Sequence, residues 1–224
     1  MGSKQSRTSF NDEVGFFLHS VNEVVRRGTR SAIDWFEGAF GMDDAARVRY
    51  FRDRGIRFTR QARYVQAAGM LEDVCERLPN DTDATFHLAF CYLKMDRPAD
   101  GAALLQSLYD GGQRDHKIAS ILGMAYLQTR DYQRAEDVLR QGVREHPDNF
   151  NLNFRLGMAL DNLARYDEAV ESFQAALKLR PDEPRVYRSL GFILEQTGAR
   201  EQAVQMFKKA AQLESRQETG RRPG

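Results

Sequence analysis

Cysteine is nearly absent from this chain: Cys75 and Cys91 are the only two, sixteen positions apart within segments of helical character. That usage excludes a disulfide-stapled fold and reads as two small buried apolar residues in a reducing compartment. A surplus of either charge is missing as well, since 33 basic and 32 acidic residues leave a formal net charge of +1. Nucleic-acid and anionic-membrane binders draw affinity from a basic excess, so neither class is expected. No apolar run approaches the roughly 20 residues that span a bilayer. The opening stretch, MGSKQSRTSFNDE, has no hydrophobic signal core. A soluble chain is predicted, with membrane contact only peripheral and through protein partners. Chemistry-bearing motifs are lacking too. There is no glycine-rich phosphate loop and no HExxH zinc pair. His87 and Cys91 lie four apart but have no third ligand, and His19, His116 and His146 are isolated. No catalytic residue, no metal site and no cofactor is predicted, and the chain is read as not an enzyme.

What the chain does have is a period. A block of 34 residues starts at Val48, Thr82, His116, Phe150 and Pro184 and keeps its register without an insertion. In the block from Phe150, positions 7 and 8 are Leu156 and Gly157, position 20 is Ala169, position 24 is Phe173, position 27 is Ala176 and position 32 is Pro181. This is the tetratricopeptide (TPR) pattern, a helix–turn–helix unit. Small residues at positions 8, 20 and 27 let two helices approach, large ones at 7, 11 and 24 fill the space between them, and proline at 32 stops the second helix. The predicted fold is all-α: a TPR solenoid, a right-handed superhelix with a hook shape, whose units pack on their neighbours.

The predicted organisation runs as follows. Residues 1–9 form a polar, disordered tail, and 10–47 a degenerate helical pair that occupies the space of one more repeat without its signature. In its first helix Val14, Phe17, Leu18, Val21, Val24 and Val25 follow steps of three and four and form one apolar face. An N-terminal half, 48–112, holds repeats 48–81 and 82–115. A C-terminal half, 113–217, holds repeats 116–149, 150–183 and 184–217, and 218–224 is a second disordered tail. Repeat 82–115 is the weakest, with Gly101 for alanine and Gln113 for proline, and it ends in Gly111–Gly112. That pair is the least restrained link in the array, and a hinge is expected there.

First helices line the hollow side of a TPR array, mainly through positions 2, 5, 9, 12 and 13. The candidate groove residues are Arg49 and Arg52, then Phe86, Phe90 and Leu93, then Met124 and Leu127, then Phe154, Met158 and Asp161, and finally Phe192. The middle of this strip is apolar and rich in aromatic residues and methionine, which suits an adaptable contact with an amphipathic helix. A clamp for a peptide's terminal carboxylate needs asparagine at position 9 of the first repeat. Ile56 stands there, which disfavours that mode. The apolar face of Val14–Val25 is itself a suitable guest. Docked in a neighbour's groove it makes a head-to-tail contact, which propagates into large assemblies. A monomeric adaptor that binds a foreign peptide or amphipathic helix in the same groove is the alternative.

Five units behind a degenerate pair, with the segments VRYFRDRGI (48–56) and FRLGMALDNLARYDEAVESF (154–173), resemble the MamA family, the magnetosome-associated TPR proteins of magnetotactic bacteria. The resemblance runs from about Phe10 to Leu213. It implies a homo-oligomeric scaffold, peripheral on the cytoplasmic side of the magnetosome membrane, that recruits other magnetosome proteins for biomineralisation. It also implies that the N-terminal helix enters the concave groove, and that Arg52 and Asp161 match positions linked to folding or assembly.

Overall fold

The computed structural model describes the backbone of residues 44–221. Its described residues form ten helices and no strands: α1 (Asp44–Arg60), α2 (Tyr64–Arg77), α3 (Thr82–Lys94), α4 (Pro98–Asp110), α5 (His116–Gln128), α6 (Tyr132–Glu145), α7 (Phe150–Asn162), α8 (Tyr166–Leu179), α9 (Pro184–Gln196) and α10 (Arg200–Arg221). The helices α3, α5, α7 and α9 begin at the repeat starts read from the period. Only α1 starts earlier, four residues ahead of Val48. The expected self-assembly helix over Val14–Val25 and the N-terminal tail lie outside the described residues, whereas α10 continues through 218–221, a stretch expected to be a disordered tail, because the helix runs on past the last repeat.

Each boundary has a local cause. Asp81, Asp115 and Asn149 cap α3, α5 and α7: their side chains accept from Ala84 N at 2.9 Å, Lys117 N at 2.8 Å and Asn151 N at 3.0 Å. Pro184 opens α9, where its missing N–H costs nothing. The turn inside each repeat uses one left-handed residue, at Ala62, Asp96, Arg130, Ala164 and Gly198, with φ between 57° and 84°. These five positions are themselves spaced by the repeat, so the turn is part of the unit.

Within a repeat, the glycine at position 8 faces the large residue at position 24. A β-carbon at Gly55 would stand 2.7 Å from Leu71, one at Gly157 2.7 Å from Phe173, and one at Gly191 2.6 Å from Phe207. The small residues at position 20 are sealed, Ala67, Ala135 and Ala169 being fully buried. Phe173, Leu71 and Leu139 fill the space between paired helices without exposure.

The described residues divide into two compact units, one up to Arg97 and one from Pro98 on. In the first, α1 packs on α2 and α2 on α3; in the second, successive helices from α4 to α10 pack in order. The division falls at Arg97–Pro98, whereas the sequence suggested halves meeting at 112. Gly111 and Gly112 lie inside the second unit, between α4 and α5, which pack on each other. Gly112 has φ +90°, and Gln113 N donates back to Leu108 O at 3.0 Å.

Candidate protein-binding surface

In the first unit, Arg52 is committed to its own chain. Its Nε donates to Asp81 at 2.6 Å and its Nη2 to Asp83 at 2.8 Å. Because Asp81 also caps α3, the pair ties α1 to the start of the next repeat. Arg52 is thus engaged as a brace between repeats. Arg49 is exposed on the same helix and lines a cleft of about 600 Å³ with Asp44, Ala45, Val48, Arg77 and Leu78. Phe86 and Phe90 on α3 are half-buried. The Phe90 ring meets Tyr64 edge-on at 6.1 Å and carries Lys94 Nζ at 5.4 Å. Leu93 departs from expectation. It is only 4% exposed and belongs to the packed interior, so it offers no contact to a ligand.

In the second unit the first helices α5, α7 and α9 carry the remaining candidates. Met124, Leu127, Phe154 and Met158 are all half-buried. Phe154 packs parallel to Phe150 at 5.8 Å, touches Phe173 at 5.7 Å, and has the Arg185 guanidinium 5.3 Å from its ring centre. Its inner edge therefore belongs to the core and its outer edge to the surface. Phe192 is 51% exposed, with Phe207 edge-on at 5.2 Å. Phe192 is thus half open to water, and Met124 and Met158 on the other first helices are partly so.

Charge in this unit is poorly matched at two points. Asp161 is half-buried, and burial raises its carboxyl above the ordinary carboxylate range. Arg155, one residue past Phe154, was not anticipated from the groove positions. It turns from α7 to α5, where Nη1 donates to Ser120 O at 3.1 Å and to Ser120 Oγ, and Nη2 points at Met124 Sδ at 3.5 Å. All three acceptors are neutral. Burial, and then the nearby Arg185, lower its pKa to about 10. Arg140 shows the contrast: it reaches Glu168 at 2.9 Å and also bonds Glu136. Arg185 likewise holds Glu183 at 2.8 Å.

Among the described residues, no cluster of three or more His, Cys, Asp or Glu side chains could hold a metal ion, and no helix is long and apolar enough to cross a membrane.

Comparison with known proteins agrees with this architecture. The tetratricopeptide repeat family matches residues 58–125, 126–190 and 184–217. The magnetosome protein MamA of Paramagnetospirillum magnetotacticum is 39% identical over 88 residues, 39% of this chain and 40% of that protein. MamA of Magnetospirillum gryphiswaldense is 38% identical over the same length. The matched segment thus spans well under two thirds of these curated relatives. A solved MamA structure of strain MSR-1 superposes with a TM-score of 0.67 at 40% identity, covering 76% of this chain and 98% of that one. One of strain AMB-1 gives 0.64 at 42%, covering 77% and 94%. With repeats matched along most of its length and a MamA structure covered almost end to end, the chain belongs to the tetratricopeptide repeat family and, within it, to the MamA proteins.

Proposed function

We propose that this protein is a self-assembling, non-catalytic scaffold that coats the magnetosome membrane from its cytoplasmic side and recruits other magnetosome proteins. The supporting observation is the strip of half-buried and exposed apolar side chains on α5, α7 and α9, Met124, Leu127, Phe154, Met158 and Phe192, in a chain of the MamA family. Such a strip suits an amphipathic helix. The apolar face of Val14–Val25 has the matching pattern, and its docking in a second copy's groove is a head-to-tail contact that propagates. Membership of the MamA family supports a place at the magnetosome membrane, with contact that is peripheral and made through protein partners.

Size-exclusion chromatography with light scattering tests this reading. The full chain is expected to run as a large species, and deletion of residues 1–40 to leave a monomer. A full chain that is monomeric at every concentration supports the adaptor that binds a foreign peptide. A deletion variant that stays large removes the N-terminal helix from the assembly.

A further inference from the structure

Arg155 is a half-buried cation of the second unit whose hydrogen bonds to Ser120 and Met124 all go to neutral acceptors. Its guanidinium is drawn from water toward α5, yet the groups that receive it are a carbonyl, a hydroxyl and a thioether. A half-buried guanidinium presents a planar fork of five donors that fits a carboxylate. Neutral acceptors occupy part of that fork only. Phe154 and Met158 flank Arg155 on α7 and are themselves partly open. The site therefore combines an apolar bed with one unneutralised positive charge.

We propose that Arg155 is a receptor for a side-chain carboxylate on the docked helix, and that Glu13 of a second copy supplies it. The choice of Glu13 follows from register. Glu13, Phe17, Val21 and Val24 succeed one another at steps of four, four and three, so at helical spacing Glu13 borders the apolar face. At the same spacing Glu23, two residues after Val21 and one before Val24, would fall on the opposite side. A guest that fills the strip with Phe17 and Val21 thus brings one carboxylate to its edge. The resulting ion pair fixes which end of the guest lies over α7, a choice the apolar contacts alone leave open.

This inference rests on docking of the N-terminal helix in trans, and a charge swap in the full chain separates the two. Arg155→Glu and Glu13→Arg are each expected to weaken assembly at least about tenfold, as the loss of a charge-assisted pair does. The double variant is expected to regain the large species. Arg155→Gln keeps a donor for Ser120 and serves where the reversal fails to fold; it too should weaken assembly, with unchanged helical circular dichroism. Assembly of wild-type strength in Arg155→Gln and Glu13→Arg, together with dissociation on deletion of 1–40, overturns the ion pair and leaves the trans-docking reading intact. Single variants that dissociate while folded, with no recovery in the double, also overturn it. A wild-type chain that never assembles overturns both.

Discussion

Replacing Gly157 with alanine sets two effects against each other. Alanine favours helix over glycine by about 1 kcal/mol. The added β-carbon, however, would stand 2.7 Å from Phe173 Cδ1, on a ring with no exposure. Overpacking of that kind costs about 1–3 kcal/mol, so a net loss in thermal stability is expected in calorimetry, and a variant at least as stable as wild type would show that the two helices have room to spare. Asp161 gives a pH-dependent counterpart. Burial raises its carboxyl, so the folded chain favours the protonated form. The stability this contributes is complete below the ordinary carboxylate pKa of about 4 and is lost as pH rises through the raised folded value. Asp161→Asn is therefore expected to melt higher than wild type at neutral pH, with the difference shrinking in acid; a constant difference across pH would assign the effect to something other than ionisation. Arg52→Glu sets a third charge of the same sign against Asp81 and Asp83. The side-chain exposures, 30% for Arg52, 14% for Asp81 and 70% for Asp83, put this network between the surface and buried cases. The expected loss lies between the ~1 kcal/mol of a surface pair and the ~3 kcal/mol of a broken buried one. A melting temperature within a degree of wild type would contradict the brace.

At the scale of elements, the period placed the starts of α3, α5, α7 and α9, because signature positions and caps recur together. The turn inside each repeat was not legible in the same way. Ala62, Asp96, Arg130 and Ala164 are left-handed residues without the glycine that would announce them, and only Gly198 carries the usual signal. Packing of the paired helices imposes that conformation, at a cost of about 1 kcal/mol for a residue with a β-carbon. Ala164→Gly removes the cost and loosens the unfolded chain by a comparable amount, so its melting temperature is expected to equal or exceed wild type. Ala164→Val should be clearly destabilised, since a branched side chain resists positive φ. The reverse order would place the turn in another conformation. Arg155 is not legible in the spacing for a related reason. The groove positions of a repeat do not include the sixth, and a missing counter-charge depends on burial, which one-dimensional spacing does not carry. The burial of Leu93 is not legible either, because position 12 reads the same whether its side chain faces out or in.

For the whole molecule, the repeat register gave the architecture, while the division into units did not follow from it. The sequence drew attention to Gly111–Gly112, and the compact units part at Arg97–Pro98. A hinge at the glycine pair remains our proposal. It calls for faster amide exchange over 110–115 than over the junction at 145–150, and equal protection would dismiss it. The central claim is that the outer edges of α5, α7 and α9 are a docking surface for the chain's own N-terminal helix in trans. Hydrogen exchange read by mass spectrometry, comparing the assembled full chain with the form lacking residues 1–40, tests it most directly. We expect slower exchange in α5, α7 and α9 of the assembled chain, with α6 and α8 unchanged. Identical protection of those first helices in the two forms would contradict the claim.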